Sequence, residues 1–568
     1  MISKIIKKSQ KLLKLPPNLK DYSKTARSFS WSEAEKEVSW FKGKKLNAAY
    51  SALDRQALGE NKNKIALYWE GKNGEKENFT FGDLFSLAGK FGNFLKSLGV
   101  KPGERVFFFL PRIPTLYWGF LGTLKIGAIA GNLFAAFGTQ ALYERLKNSG
   151  AKIVITTKEL YPRLEKIEKD LSDLKKVVFT DNLERLLNRF SAKIRCRPMH
   201  PSDPAFMLYT SATGNTPVCG IVIPHKALIQ QHITAKWVLD LKENDIYWYT
   251  GDPAWVTGTA YGILAPWSLG ISQVVFGGRF SSQKWYSIIE KYKVSVLYTA
   301  PTAIRMLRKE EELIKKYDLS SIRHIVSVGE PLDPHSVYWT MKKLNTPAHD
   351  TWWQTETGAI MIANFPSLDI KLGSMGKPIP GIKAAIIDEN GKELRPNREG
   401  NLAFKPNWPS MMIGVWKNKK RYRSYFKNGW YLSGDRAYRD KDGYFWFVGR
   451  ADDIIKTSGE RVGPFEVESC LLEHPSVVEA GVIGKPDPLR GEIVKAFVVL
   501  KNGRKPSEKL KEELQQFVKT HLAGHAYPRE IEFIDKLPKT RSGKIVRRIL
   551  KAKELGLPIG DTSTLEEY

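Results

Sequence analysis

Cysteine is scarce in this chain of 568 residues. Its three cysteines, Cys196, Cys219 and Cys470, lie far apart and form no paired-ligand pattern. This argues against a disulfide scaffold and against a zinc site, and it suits a reducing compartment. We therefore expect a cytoplasmic protein.

Long apolar runs are also missing. The most apolar stretch, residues 113–137, is interrupted by Lys125 and rich in glycine, so it predicts a buried helix and a following strand rather than a membrane span. The basic, amphipathic segment 1–17 could touch a membrane surface or resemble a transit segment. It has neither a long apolar core nor a small-residue cleavage site. We expect no secretory signal and no stable membrane insertion.

Nucleic-acid-binding motifs are absent although the net charge is +29, from 89 Lys+Arg against 60 Asp+Glu. Such a surplus attracts nucleic acid, membrane surfaces or phosphorylated metabolites. The cations are spread along the whole chain, and no helix-turn-helix, zinc-finger or aromatic RNA-binding motif concentrates them. We therefore expect no specific nucleic-acid partner.

The length predicts two or more domains. From about residue 64, short β-rich runs at 104–110, 152–157 and 176–180 alternate with helical patterns such as 82–99. Strands alternating with helices indicate parallel sheets joined by crossover helices. The pattern continues to about residue 330, with no internal repeat.

The pattern changes near residue 380. Turns at Asn390-Gly391 and Asp442-Gly443 lie between strand-like runs and predict antiparallel hairpins. A small α+β unit follows Pro464. We therefore expect an α/β fold with a large domain, 1–451, of mostly parallel sheets with flanking helices and a β-rich part. A small mobile α+β domain, 452–568, would follow it.

An apolar strand runs into a Ser/Thr/Gly-rich loop within residues 206–225. Its backbone N–H groups and the hydroxyls of Thr210 and Ser211 could cradle a phosphate. The Gly-Lys-Ser/Thr ending of a Walker loop is missing. Taken alone, the loop favours a structural turn.

The segment HDTWWQTETG, residues 349–358, combines adjacent tryptophans with hydroxyls and carboxylates, which is unusual for a plain core. One indole could form the wall of an apolar pocket, and the threonines could bond phosphate oxygens. Glu356 could hold magnesium. This segment favours a functional site over packing.

Two later segments carry further candidates. Asp435 could bond both ribose hydroxyls, and Arg450 and Arg461 could grip phosphates with their forked donors. Near the end, LPKTRSGKIVRR (537–548) places Lys544 behind a Ser-Gly turn, where its movable charge suits a phosphate or an oxyanion. A solvated basic tail is the alternative for this segment.

Together these regions resemble the adenylate-forming superfamily of acyl-CoA synthetases, and within it the acetate-using branch. The resemblance implies a ligase that converts acetate and MgATP to acetyl-adenylate and pyrophosphate, then transfers the acetyl group to CoA and releases AMP. Mg²⁺ would be the cofactor, and acetate, ATP and CoA the substrates. The resemblance extends from 28–41 to 538–548 and includes 255–267, 298–307, 327–334, 373–381 and 457–469.

The resemblance also implies residue roles. Lys544 would stabilise charge during adenylation, with Arg461, Thr355 and Glu356 beside it, and Asp452 would be the hinge of the small domain. The ATP and AMP contacts would be Thr210, Ser211, Gly329, Glu330, Pro331, Asp350, Thr351, Trp352, Trp353, Gln354, Thr355, Asp435, Arg450 and Arg461. The acyl pocket would use Trp353, Val256 and Thr257; CoA would use Thr257, Ser458 and Lys519; and metal contacts would come from Glu356, Leu472, His474 and Val477.

Trp353 would close the floor of the acid pocket and make propionate a poorer substrate than acetate, because one methylene is worth only about 1–3 kcal/mol of discrimination. The phosphate loop departs from the family pattern. It is one residue longer, Ala212 replaces a glycine, and the lysine before Gly220 is absent. Lys519 stands where arginine is common.

Two alternatives stay open: the same chemistry on propionate or another short acid, and an adenylate-binding protein impaired in adenylation by the altered phosphate loop. Family habit also implies a lysine acetyltransferase and a deacetylase acting on Lys544, since acetylation would remove its charge.

Overall fold

The computed structural model describes residues 5–9, 12–209, 219–451, 453–457, 460–501, 503–540, 545–559, 562 and 565. Helices and sheets alternate through this part of the chain, as an α/β fold requires. The α-helices are Tyr22–Ser28, Trp31–Glu35, Arg55–Ala57, Phe81–Ser97, Pro114–Lys125, Thr139–Ser149, Tyr161–Glu168, Leu183–Leu187, Ala227–Trp237, Val256–Thr259, Ala265–Ser268, Ser282–Tyr292, Pro301–Lys309, Pro334–Leu344, Lys419–Ser424, Pro464–Leu472, Glu508–His521 and Arg547–Glu554. Shorter 3₁₀ and π turns are Tyr50–Asp54, Glu60–Asn63, Thr180–Asn182, Ala260–Leu264 and Glu311–Lys316.

A nine-stranded sheet forms one half of the large domain. Its central strands are parallel, and antiparallel strands close both edges. Central strands such as Val296–Thr299 are buried along their whole length, as expected for strands covered on both faces. In spatial order the strands are Lys377–Pro378, Ile362–Ala363, Ala348–Trp352, His324–Ser327, Val296–Thr299, Ile246–Tyr249, Ser272–Phe276, Ile65–Glu70 and Lys76–Thr80.

A seven-stranded sheet, again mostly parallel, forms the other half and confirms the predicted strands at 104–110, 152–157 and 176–180. The predicted helix at 82–99 is Phe81–Ser97, and a capping box between Thr80 and Asp83 begins it. In spatial order the strands are Gly414–Val415, Gly220–Pro224, Pro204–Tyr209, Ile129–Phe134, Arg105–Leu110, Ile153–Thr156 and Lys176–Phe179.

The apolar stretch 113–137 is a buried helix, Pro114–Lys125, and a strand, Ile129–Phe134, as predicted. Lys125 is fully buried and pairs with Asp54 at 2.6 Å, so the interrupting charge is neutralised inside the domain. In the described part of the chain, the helices are all too short or too polar to cross a membrane.

An antiparallel five-stranded sheet is the predicted β-rich part. Its strands are Ala384–Ile387, Gly400–Phe404, Trp430–Arg439, Phe426–Lys427 and Phe445–Arg450. The hairpin at Asp442-Gly443 is confirmed. The antiparallel pairing on either side of the Asn390-Gly391 turn is confirmed too, between Ala384–Ile387 and Gly400–Phe404. Directly after this turn Glu393 forms a bridge to Ile387, and the paired strand itself starts at Gly400.

From Ile455 onward the chain forms its own sheet and apolar core, which confirms a separate α+β unit. The boundary itself remains a prediction, because Asp452 lies outside the described residues. In spatial order the strands are Glu460–Val462, Ile455–Thr457, Gly491–Leu500 and Val477–Asp487, with Glu530–Phe533 pairing parallel to Gly491–Leu500.

The described start of the amphipathic N-terminal segment packs on the large domain. Its strand Ile5–Ile6 pairs antiparallel with Ile370–Lys371, and Ile6 is buried. The side chain of Lys8 extends into the interior of the large domain, where its Nζ lies 2.6 Å from Nε2 of His349. The apolar side chain of Ile6 is therefore used within the protein itself.

Candidate active site

A cavity of about 170 Å³ lies where the small domain meets the large one. It brings together residues that are far apart in sequence and that belong to several of the predicted segments. The predicted site residues that line it are Gly329, Glu330, Pro331, Asp350, Thr351, Trp352, Trp353, Gln354, Asp435, Arg450 and Leu472.

Two neighbouring parallel strands bring the first of these residues together. His324–Ser327 and Ala348–Trp352 run side by side, with Ser327 opposite Asp350. The segments that follow them therefore leave the same edge of the sheet, where α/β proteins form their ligand crevices. Gly329 turns the chain there with a φ of +100°, a backbone conformation that favours glycine.

Glu330 is held by the large domain itself. Its carboxylate accepts the backbone N–H of Thr302 at 2.8 Å and pairs with Arg305 at 2.8 Å. Arg305 also contacts Asp333 at 3.4 Å. Burial opposes the charge of Arg305, but these carboxylates outweigh it and raise its pKa. Arg305 lines the cavity and was not predicted, although it falls within the quoted segment 298–307.

Asp435 and Trp352 form a hydrogen-bonded polar part of the cavity. The indole N–H of Trp352 donates to Asp435 at 2.9 Å, and Arg450 donates to the other carboxylate oxygen at 2.9 Å. Trp352 also stacks on Phe404, with ring centroids 5.2 Å apart. The adjacent Gln354 donates to the carbonyl of Ser433. The segments 349–358 and 429–463 therefore share one hydrogen-bonded unit.

Asp350 lies deeper in the wall of the cavity. Burial raises the pKa of its carboxyl group well above the ordinary range and so favours the neutral acid over the carboxylate. One of its oxygens accepts the N–H of Thr351 at 3.0 Å. The neutral form of such a group can donate a hydrogen bond to a ligand, which a carboxylate cannot.

Trp353 lies beside Trp352 and turns toward a cluster of buried tyrosines. The edge of the Tyr261 ring packs on it, with centroids 5.2 Å apart and planes at 81°. Tyr261 belongs to a π-helical turn, Ala260–Leu264, that continues the helix carrying Val256 and Thr257. These last two residues are buried next to the tyrosine cluster but do not line the cavity.

Glu356 follows in the turn after Gln354. Its Oε1 accepts the hydroxyl of Tyr425 at 2.9 Å, which leaves the second oxygen for a ligand. Among the described residues, no three His, Cys, Asp or Glu side chains lie close enough to hold a metal by themselves. A single available carboxylate fits Mg²⁺, which proteins usually hold with one or two carboxylates plus substrate phosphates.

Several predicted residues lie away from the cavity. Arg461 is exposed on the strand Glu460–Val462, and Lys519 is exposed on the helix Glu508–His521, 5.7 Å from the ring of Tyr527. Thr355 lies in the turn beside the cavity and does not line it. Five predicted residues fall outside the described part of the chain: Thr210, Ser211, Asp452, Ser458 and Lys544.

The small-domain metal contacts are only partly compatible with the structure. Leu472 lines the cavity, and Val477 begins a strand. Both imidazole nitrogens of His474 are already engaged: Nδ1 with the N–H of Ser476 and Nε2 with Glu513 at 3.0 Å. A metal contact from this ring would require one of these bonds to break.

The small domain also contributes two ion pairs to the cavity that were not predicted. Lys539 pairs with Glu479 at 2.6 Å, and Arg547 donates from Nε to Glu468 at 3.0 Å. Lys539 and Arg547 flank Lys544 within the segment 537–548. Their partners come from distant positions, so the segment alone offered no sign that these two cations are paired.

Comparison with known proteins agrees with this geometry. Residues 53–416 match the AMP-binding enzyme family, and residues 466–544 match the AMP-binding enzyme C-terminal domain. The chain belongs to the AMP-binding enzymes. The predicted membership in the adenylate-forming superfamily is thereby confirmed.

Two relatives of this AMP-binding enzyme match nearly its whole length. The acetyl-coenzyme A synthetase of Bacillus subtilis (strain 168) is 55% identical, over 97% of this chain and 98% of the relative. The acetyl-coenzyme A synthetase of Methanothrix thermoacetophila is 40% identical, over 93% of this chain and 86% of the relative.

Solved structures of similar enzymes share the fold. An acyl-CoA synthetase from Brucella canis has a TM-score of 0.74 and 35% identity, over 95% of this chain and 99% of that one. The anthranilate CoA ligase AuaEII, solved in complex with anthranoyl-AMP, has a TM-score of 0.84 and 30% identity, over 93% of this chain and 99% of that one. The predicted fold class is therefore confirmed.

Proposed function

We propose that this AMP-binding enzyme is an AMP-forming acetate–CoA ligase that uses ATP and CoA. The near-full-length relatives named acetyl-coenzyme A synthetase support this function. The observation that carries the choice of acid is the position of Trp353, which lies next to the polar unit of Trp352 and Asp435 and is backed by the buried Tyr261. A fixed indole at this point leaves room for a short acid only.

In the first half-reaction a carboxylate oxygen of acetate attacks the α-phosphorus of ATP. The bond to the bridging oxygen breaks, and pyrophosphate leaves with its electron pair. Asp435 and Arg450 are suited to hold the ribose, and Lys544 would stabilise the charge that develops around the phosphorus. Asp350, whose pKa burial raises, would in its neutral form act as a hydrogen-bond donor in the nucleotide site.

In the second half-reaction the CoA thiol gives its proton to water and the thiolate attacks the carbonyl carbon of acetyl-adenylate. The bond from that carbon to the phosphate oxygen breaks, and AMP leaves with its electron pair. Lys519 and Arg461 lie on the surface of the small domain in the present orientation. Rotation about Asp452 would bring a different face of that domain to the cavity, as conformational steps do in many enzymes. Thr257, Ser458 and Lys519 would then contribute to the CoA site.

Mg²⁺ would be held by Glu356 together with phosphate oxygens, and it would neutralise charge on the phosphates. A second contact from Leu472, His474 and Val477 would need the His474 side chain to release a partner, or would use backbone carbonyls. We place the enzyme in the cytoplasm. A lysine acetyltransferase that modified Lys544 would remove its charge and stop adenylation, and a deacetylase would restore it.

The test follows AMP and thioester with MgATP, CoA and either acetate or propionate. We expect acetate to be preferred, and we expect Lys544→Ala to abolish AMP formation. Lys553→Ala, an exposed lysine on the last helix, is the matched control and should behave as the wild type.

Each other outcome identifies an alternative. A higher kcat/KM for propionate than for acetate would identify the enzyme as a propionate–CoA ligase. Nucleotide binding without AMP from any short acid would indicate an adenylate-binding protein, and the altered loop at 209–220 would then be its cause.

A further inference from the structure

A chain of hydrogen bonds runs beneath Trp353 through the interior of the large domain. The indole N–H of Trp353 donates to the Tyr298 hydroxyl at 3.3 Å, and that hydroxyl lies 2.9 Å from Oγ1 of Thr351. The Thr351 hydroxyl in turn donates to the backbone carbonyl of Ser327 at 2.6 Å. The chain therefore links Trp353 to the end of a central strand.

The chemistry of the two end groups fixes which partner donates in each hydrogen bond of this series. An indole nitrogen only donates, and a carbonyl oxygen only accepts. Thr351 gives its proton to Ser327, so it must accept one from Tyr298. The Tyr298 hydroxyl therefore turns a lone pair toward Trp353. Each hydroxyl donates one bond and accepts one, so the arrangement is unique rather than one of several.

Tyr298 is fully buried. Burial raises the pKa of its phenol well above the ordinary value, so it remains a neutral donor at any working pH. Its ring packs edge-on against Tyr261, with centroids 6.0 Å apart. A phenylalanine would preserve this packing and remove only the hydroxyl.

Tyr261 provides a natural comparison. It also is fully buried and touches the Trp353 ring, at a centroid distance of 5.2 Å. Its hydroxyl bonds elsewhere, to Thr234 at 2.7 Å and to the backbone N–H of Ile360 at 2.9 Å. Tyr261 therefore packs on the indole without bonding to its nitrogen, whereas the Tyr298 hydroxyl accepts the hydrogen bond of the indole N–H.

We infer that Tyr298 is a specificity-determining positioning residue that fixes the indole of Trp353 through the bond to its N–H. This inference rests on the proposed function, in which that indole closes the acid pocket. Without the Tyr298 hydroxyl, the indole N–H would lose its acceptor next to the buried Tyr298 ring, which favours a rotated indole whose N–H faces the cavity. A rotated indole no longer closes the floor, so acids longer than acetate gain most.

The experiment compares kcat/KM for acetate, propionate and butyrate in the wild type, Tyr298→Phe and Tyr261→Phe. In Tyr298→Phe we expect the butyrate-to-acetate ratio to rise about tenfold or more, because the fit of one methylene is worth about that factor. In Tyr261→Phe we expect the ratio to stay within about twofold of the wild type. Thr351→Val removes the next hydroxyl in the series of hydrogen bonds and should raise the butyrate-to-acetate ratio by a smaller factor.

If kcat/KM fell by the same factor for all three acids in Tyr298→Phe, the inference would be overturned, because a purely structural role lowers activity without changing the butyrate-to-acetate ratio. An equal change of ratio in Tyr261→Phe would overturn it too, since it would assign the effect to ring packing. A wild type that turns over no acid would instead contradict the proposed function.

A crystal structure of Tyr298→Phe tests the positioning role without any turnover. We expect the Trp353 indole in a second rotamer, with its N–H toward the cavity. An indole that keeps its wild-type position and orientation would overturn the inference even if the enzyme proved inactive.

Discussion

Trp352 and Asp435 are 83 positions apart, yet the indole N–H of one donates to the carboxylate of the other at 2.9 Å. Arg450 holds the second oxygen of the same carboxylate at 2.9 Å. The carboxylate is thus oriented from both sides before any ligand arrives. Preorganisation of this kind lowers the cost of ordering a binding site.

The first prediction follows from this bond. Trp352→Phe keeps an aromatic ring against Phe404 and removes the donor to Asp435. A hydrogen bond to a charged group is worth about 1.5–3 kcal/mol. We therefore expect the KM for ATP to rise about tenfold or more, with the KM for acetate nearly unchanged. Initial-rate kinetics at saturating acetate and CoA would measure the KM for ATP.

Trp446→Phe is the control for this substitution. Its indole N–H also donates to an aspartate, Asp440, at 3.3 Å, but neither residue lines the cavity. Equal effects of the two variants on the KM for ATP would show that loss of a tryptophan, rather than orientation of Asp435, is responsible.

The second prediction concerns pH and the contact between the domains. Glu466, in the first turn of the helix Pro464–Leu472, faces Glu399 of the large domain. Burial, and then repulsion from Glu399, raises the pKa of Glu466 to about 7. In the unfolded chain a glutamate titrates near 4.3. Between these two values the unfolded state is ionised while the folded state still binds the proton.

Stability therefore falls as the pH rises from about 4.3 to about 7 and then levels off. The substitution Glu466→Gln removes the titrating group and with it this loss of stability. We expect the variant to be more stable than the wild type at pH 8, by up to about 4 kcal/mol, and equal to it near pH 4. Thermal unfolding across this range would measure the difference. Glu473→Gln, an exposed control at the end of the same helix, should leave the pH profile unchanged.

The third prediction concerns the buried pair of Arg547 and Glu468. Glu468 is 4% exposed and also accepts the N–H of Val482 at 2.8 Å. Arg547→Met would leave this carboxylate buried without its cation, which costs about 3–5 kcal/mol. We expect hydrogen exchange to accelerate in the small domain, with the large domain as internal reference.

Arg547→Met combined with Glu468→Gln separates charge from packing. The glutamine keeps an acceptor for Val482 and carries no charge, so the double variant should recover much of the lost protection. A double variant as unstable as the single one would show that the side-chain packing of Arg547, and not its charge, holds the region.

Local pattern was sufficient to predict several strands and helices of the two main sheets, among them those at 82–99, 104–110, 152–157 and 176–180. The stretch 113–137 was interpreted correctly because a lone charge with a buried partner, here Asp54, does not disturb helical periodicity. The turn at Asn390-Gly391 correctly predicted a reversal of the chain and antiparallel pairing, but turn chemistry does not fix where the next strand begins to pair, which here is Gly400.

Pairings between distant residues could not be predicted in this way. Arg305 has the appearance of a solvated cation on an amphipathic helix, and only the fold brings it to Glu330. The same holds for Lys539 and Arg547, whose partners lie on other elements of the small domain. The side of the small domain that faces the cavity is likewise set by a rigid-body orientation, which no local motif encodes.

The last prediction addresses the lysine missing from the phosphate loop. The helix Lys419–Ser424 lies against the end of that loop, because Asn418 caps Arg421 at 2.9 Å and also contacts Cys219 at 3.8 Å. The guanidinium of Arg421 lies 4.9 Å from the ring of Tyr425, whose hydroxyl donates to Glu356 at 2.9 Å. Arg421 is thus a cation between the loop and the proposed magnesium ligand.

Arg421 is half-buried, and its guanidinium is hydrogen-bonded to the side chain of Tyr425. A guanidinium has five N–H donors, so further donors are left for the outer phosphates of ATP. We expect Arg421→Gln to raise the KM for ATP, and the KM for pyrophosphate in the reverse reaction, by about tenfold or more, as for loss of a charged hydrogen bond. The KM for acetate should change little.

Arg423→Gln is the matched control, since Arg423 lies on the same helix and is exposed. If both variants raise the KM for ATP equally and the effect disappears at high salt, the helix contributes only a diffuse positive field. If only Arg421→Gln raises the KM for ATP and the increase persists at high salt, the arginine makes a direct phosphate contact. It would then compensate for the lysine that the loop lacks, and the altered loop would be compatible with an active enzyme.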